Sequence, residues 1–429
     1  MLSWYTEFTR DQRRTFWACY GGWALDGMDL QFYTFLIPTL TALWSMSQAQ
    51  AGIIASSALI TSALGGWLTG ILADRYGRVR MLQITILWYS VFTAASGLTN
   101  SFGQLLVMRS LQGFGFGGEW TAGAVLVGEI VRAHHRGKAV GTLQSGWAVG
   151  WALAALLSTF ALAWLPADWG WRALLFVGAL PALLLLFIRR YVREPAIFLE
   201  HSALPARERL VAGAYRIFSP ELLRTTILCS LLSTGALGGY YALMTWLPTY
   251  LRLERGLTIL SSGLYLGVII AGAFTGYLVG AYLADLIGRR RNFLLYAVSC
   301  IVIVAAYTHA PISNDAMLVL GFPLGFCSVG VFSGIGPFFT ELFPTGVRGS
   351  GQGFSYNAGR AAGAFFPALV GFLSASLSLG KAVGLFAAVA YGLLVIAAYR
   401  LPETKGKEFD RAKAPSEDLS APAHSPTSA

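Results

Sequence analysis

The sequence predicts an all-α polytopic membrane protein built as two pseudo-symmetric bundles of six membrane-spanning helices, and three observations carry that expectation. Hydrophobic residues make up 55% of the 429 residues and charged ones only 12%, a balance foreign to a soluble globular chain of this size. Apolar runs of about 20 residues, enough to cross a bilayer, recur about twelve times. Two loop motifs also recur in one register. Asp74-Arg75-Tyr76-Gly77-Arg78-Val79-Arg80 is echoed by Asp285-Leu286-Ile287-Gly288-Arg289-Arg290-Arg291, 211 residues on, and Glu129 with Arg136-Gly137 by Glu341 with Arg348-Gly349, with the glutamates 212 apart. Two independent motifs in one register mark a duplicated unit.

In chain order, the runs fall within 16–44, 51–73, 81–99, 104–128, 139–165, 173–188, 225–251, 258–284, 292–308, 316–340, 349–377 and 382–399. Arg10, Arg13 and Arg14 precede the first, but no small-residue cleavage pattern follows it, so an uncleaved first helix is expected. Residues 1–188 form the first bundle and 225–400 the second. Between them, 189–224 is charged, contains Pro195 and Pro205, and reads as a cytoplasmic loop with short amphipathic helices. The tail, 401–429, turns to Ser, Pro, Ala and charge, cannot bury a core, and is expected to be disordered.

The net charge of +10 becomes informative once mapped. Basic residues gather at Arg10–Arg14, Arg75–Arg80, Arg132–Lys138, Arg189–Arg224, Arg289–Arg291, Arg348 and from Arg400 onward. The opposite loops hold Arg172, Arg252, Arg255 and Lys381. The positive-inside rule then places both termini in the cytoplasm of a multi-pass protein of the cell (inner) membrane. The charge reports topology; the expected partners are the bilayer and a small substrate, not nucleic acid, and a monomer is expected.

Charges inside the spans are costly, about 2.5 kcal/mol or more for an acid at a helix centre, so they point to function. Asp26 and Asp29 lie within Gly21–Pro38, one turn apart on one face of the first helix and about 16 to 21 Å into the bilayer at 1.5 Å per residue. Burial and mutual repulsion suit one of them to take up and release a proton near neutral pH. The alternative is a fixed ion pair to the fourth helix. Arg109 lies near the outer end of that helix, and Glu119 ten residues deeper beside a glycine run. Arg360 sits about 16 Å into the eleventh helix, where the first half has Ala148. With no nearby acid in its own half, its guanidinium offers a fork to a carboxylate; the alternative is pairing across the cavity with Asp26, Asp29 or Glu119. Tyr240, Tyr241, Gln144, Trp147, Tyr356 and Asn357 complete the candidate substrate site, Tyr241 standing at the register of Asp29.

Other chemistry is set aside. Gly113-Phe114-Gly115-Phe116-Gly117-Gly118 imitates a dinucleotide loop but lies inside a membrane run with no strand before it. The five histidines fall in loops or the tail and the four cysteines have no paired spacing, so no metal site or disulfide frame is expected. No cofactor is expected beyond the proton as coupling ion, and no nucleophile, base and metal constellation suggests an enzyme.

Gly70-Ile71-Leu72-Ala73-Asp74-Arg75-Tyr76-Gly77-Arg78-Val79-Arg80, with Arg109 followed by Gly113, Gly115 and Gly117, resembles the signatures of the major facilitator superfamily. Val79 interrupts the usual basic run and Ala281 stands where the second copy would carry glycine. Asp26-Gly27-Met28-Asp29, Gly117-Gly118-Glu119-Trp120 and Tyr356-Asn357-Ala358-Gly359-Arg360 look most like the sialate:proton and related carboxylate:proton symporters. The Asp-Gly-x-Asp element is also similar to aromatic acid:proton symporters. Pro402–Gly406 resembles sugar porters, although the seventh helix lacks their paired glutamines. The resemblance implies alternating access around a midplane site and proton symport of a small organic acid anion such as sialate, lactate or pyruvate. It makes Arg109 the natural partner of Asp26 and Asp29, with Glu119 in the same proton-coupling set. It makes Asp74, Arg75, Gly77, Arg78, Glu129 and Arg136, with Asp285, Arg289, Glu341 and Arg348, cytoplasmic latches that part when the inner side opens.

Overall fold

The computed structural model describes residues 3–130, 136–192, 216–344 and 347–405, and among these the regular structure is helical throughout. In a bilayer every backbone donor and acceptor must be satisfied within the segment, which favours helices for such apolar runs. The spans are α1 (Arg10–Trp44), α2 (Gln48–Tyr76), α3 (Arg78–Ser96), α4 (Phe102–Ile130), α5 (Arg136–Gln144 and Gly146–Trp164) and α6 (Ala167–Val177 and Pro181–Tyr191). Then come α7 (Pro220–Leu253), α8 (Ile259–Ile287), α9 (Arg289–His309), α10 (Asn314–Gly330, the 3₁₀ turn Val331–Gly334, and Ile335–Leu342), α11 (Arg348–Gly363 and Phe366–Leu373) and α12 (Leu379–Arg400). Arg10–Trp44 and Pro220–Leu253 begin earlier than their hydropathy because polar first turns at the membrane surface extend them, α1 through a Thr9–Gln12 capping box.

The expected repeat is visible in the helix boundaries. α8 starts 211 residues after α2 and α9 211 after α3. The joints match as well: Gly77 (φ 107°) and Gly288 (φ 98°) turn the chain in the left-handed region that only glycine enters freely. The bundle is held by close helix crossings. A methyl placed on Gly150 of α5 would stand 1.7 Å from the Ala24 carbonyl of α1, and one on Gly117 of α4 1.7 Å from the Ser62 carbonyl of α2.

Four spans are interrupted where continuous runs were expected. Pro181 and Pro367 open second segments in α6 and α11, since proline cannot donate to the preceding turn. α5 breaks at Ser145, whose hydroxyl bonds back to the Thr142 carbonyl at 2.7 Å, and α10 tightens to 3₁₀ over Val331–Gly334. Eight helices among the described residues are long and apolar enough to span a membrane by composition alone. α1, α3, α4 and α11 are not among them; α1 carries Asp26 and Asp29, and the two segments of α11 are 16 and 8 residues long.

The two sets of six helices meet along α2 with α11 and α5 with α8, and α1 touches α7. Toward the Gln48 end of α2 this seam is closed. Ser56 Oγ accepts from the Ala368 amide at 3.0 Å, Trp246 Nε1 donates to the Pro367 carbonyl at 3.0 Å, and Gly371 packs on the Gln48 carbonyl.

Candidate functional site

Asp26 and Asp29 are both fully buried, and their described contacts differ. Asp29 Oδ2 accepts a short hydrogen bond from Gln112 Nε2 of α4 and lies 4.0 Å from Arg109 Nη1. Its carboxylate also faces Thr93 of α3 and the backbone of Gly178 in α6, so it points into the first bundle. Asp26 instead lies within electrostatic reach of Arg360 on α11. One turn apart on α1, the two acids thus have different described partners. Three residues on a helix advance about 300°, and the remaining 60° or so is enough to direct two short side chains to different helices.

Arg109 is 1% exposed and stacks 5.4 Å over the Tyr33 ring. Its Nε and Nη1 donate no hydrogen bond. With Gln31, Tyr33, Tyr240, Tyr241 and Met244 it lines a cavity of about 20 Å³, room for about one water and not for a solute. The helices must therefore part to admit a substrate. Tyr240 ties the two bundles across this cavity, its hydroxyl accepting from Trp147 Nε1 of α5 at 2.8 Å and from Gln31 Nε2 of α1 at 3.4 Å.

Arg360 is 2% exposed, 5.8 Å from the Phe116 ring and 5.1 Å from the Tyr356 ring. Its guanidinium faces Tyr356, Tyr241 and Asp26, and Nε and Nη1 make no hydrogen bond. Of the expected substrate residues, Tyr240, Tyr241, Trp147, Tyr356 and Arg360 come together. Asn357 does not: Nδ2 donates to its own helix at Gly353 (3.1 Å), and Oδ1 faces Gly66 across the α2/α11 seam. Gln144 ends the first segment of α5, half-buried, and makes none of these contacts. The side chains of Glu119, Asp74, Arg75, Arg78, Glu129, Arg136, Asp285 and Arg348 lie outside the described residues.

Of the residues expected to form latches, Arg289 forks onto Glu341 (Nε to Oε2 3.2 Å, Nη2 to Oε1 2.9 Å) and donates to the Ala284 carbonyl. Thr404 also donates to Glu341. Glu403 caps α9, accepting the amides of Arg289 at 2.9 Å and Arg290 at 3.1 Å, and the neighbouring Thr404 and Lys405 amides as well. Partial burial pushes its carboxyl up, but the four amide bonds outweigh that and hold it below the usual glutamate range. Sequence reasoning missed Glu403 and Gln112. Gln112 was findable, being a polar residue three after Arg109 on the same helix face.

A bundle of this topology with buried charge at its seam defines a membrane transporter. The chain belongs to the Major Facilitator Superfamily, whose sequence profile matches residues 20–367 and 278–427. It is 41% identical over 430 residues, covering 100% of both chains, to a Cupriavidus pinatubonensis protein named "Probable 4-methylmuconolactone transporter". It is 32% identical over 391 residues to the cis,cis-muconate transport protein of Acinetobacter baylyi, covering 90% of this chain and 92% of that one. The solved D-xylose-proton symporter superposes with a TM-score of 0.72 at 20% identity, over 92% of this chain and 99% of that one, a likeness of fold.

Proposed function

We propose that this chain is a proton symporter for a small organic acid anion, working by alternating access with both termini in the cytoplasm and as a monomer. The observation that carries the reading is Arg360, a fully charged group buried at the seam with two donors unspent and aromatic rings around it. A carboxylate is the natural acceptor for such a fork. Proton coupling is assigned to Asp29, which sits against Arg109 and Gln112 inside the first bundle, so that its protonation loosens that contact. Asp26 shares the field of Arg360 and is displaced from it when the anion binds.

Relatives named for muconolactone and muconate support unsaturated, ring-derived acids as cargo ahead of sialate, lactate or pyruvate. The ring-lined cavity supports an aromatic acid as the second reading. In proteoliposomes with an imposed inward proton gradient, acids of these kinds are expected to accumulate. Accumulation of uncharged sugars with no response to any acid is the result that sinks the proposal.

A further inference from the structure

We infer that the cargo is held at two points, one carboxylate on Arg360 and a second acceptor group on Arg109, which makes it a dicarboxylate or a carboxylate with a lactone carbonyl at its far end. The inference rests on the anion-symport reading above and narrows its substrate class.

Two other arginines among the described residues spend their donors. Arg172 gives Nη1 to the carbonyls of Gly97 and Thr99 and Nη2 to Asn100, and Arg289 is saturated by Glu341 and Ala284. Arg109 and Arg360 differ together: each is almost fully buried, and each leaves Nε and Nη1 without a hydrogen bond. Buried donors are ordinarily paired, so two guanidiniums that each leave two nitrogens unspent call for a partner that is brought to them. Tyr241 joins the two places, lining the cavity with Arg109 while facing Arg360. Phe116 marks the level of Arg360 on α4, and Arg109 is seven residues away on that helix, so the two charges are separated by about 10 Å along it. Beside Arg109 the cavity is walled by Tyr33, Tyr240, Tyr241 and Met244, suited to a flat apolar body.

The arrangement also gives the second group a task. Asp29 is the only acid that the described contacts set against Arg109. Once Asp29 takes a proton its charge is gone, and Arg109 is free for the far end of the cargo. Proton and second acceptor are thus bound together.

Paired probes that differ in one end test this: cis,cis-muconate against sorbate, and adipate against hexanoate, as competitors of uptake by the full-length protein. The two-ended acid of each pair is expected to compete at about ten-fold lower concentration or better, the worth of one charge-assisted contact. Arg109→Gln is expected to weaken the two-ended acids about ten-fold more than the one-ended ones, and Arg109→Lys to recover part of that preference. Equal competition within each pair by the wild type overturns two-point binding and leaves acid transport standing. Failure of all four acids, with sugars competing instead, removes both. Equal weakening of both classes by Arg109→Gln assigns Arg109 a structural role and overturns the inference.

Discussion

Asp26 and Asp29 were both legible as costly intramembrane acids, yet the sequence could not divide them, because two residues three apart look equivalent until their neighbours are known. The neighbours supply the division: Gln112 and Arg109 for Asp29, Arg360 for Asp26. Asp29→Asn is therefore expected to abolish proton-driven accumulation while counterflow exchange persists in part, since exchange returns the carrier loaded. Asp26→Asn is expected chiefly to change the apparent affinity for the anion, as it removes the charge that competes for Arg360. Uptake under a pH gradient and exchange without one separate the two; gradient-driven accumulation persisting in both variants contradicts the coupling assignment. Asn357 shows the opposite limit. Its place beside Arg360 in sequence suggested the substrate, but three residues of helix rotation turn it to the seam with α2.

Helix positions were legible because about 20 apolar residues must become helix in a bilayer, whereas the breaks in α5, α6, α10 and α11 were not, since hydropathy averages over the local hydrogen bonds that make them. The glycine run of α4 is explained at this scale, since Gly117 sits at the Ser62 carbonyl, where the α2 and α4 backbones touch. Gly150 does the same for α1 and α5. Gly150→Leu is expected to force these helices apart, costing about 1 to 3 kcal/mol of overpacking or more, read as a lowered melting temperature in detergent. At the other end of the bundle, the Glu403 cap on α9 has a pH signature. Because its carboxyl is held below the usual glutamate range, its contribution is complete above that range and is lost as pH falls through the lower folded value. The melting-temperature gap between wild type and Glu403→Gln should narrow as pH drops from 7 toward 3; a gap constant with pH would contradict the cap.

The two bundles repeat each other in loops, joints and crossings, but not in charge: the acids belong to α1, while the matching stretch of α7 has Gly238 and Tyr241. Duplication was readable because the turns between spans keep their glycines and charged residues in one register of the sequence; the closed seam was not, because it depends on which helices from distant halves touch. Its closure is what alternating access must undo. Ser56 and Ala368 meet across that seam, with the Ser56 hydroxyl 3.0 Å from the Ala368 amide, which makes them the positions at which to place a cysteine pair. In the Ser56→Cys/Ala368→Cys variant, oxidation is expected to hold α2 against α11 and stop both uptake and exchange, and reduction to restore them. If the crosslink forms, as a gel shift after cleavage between the halves can show, and transport continues unchanged, the α2/α11 seam does not open in the cycle, and the rocking of two bundles about a central anion fails with it.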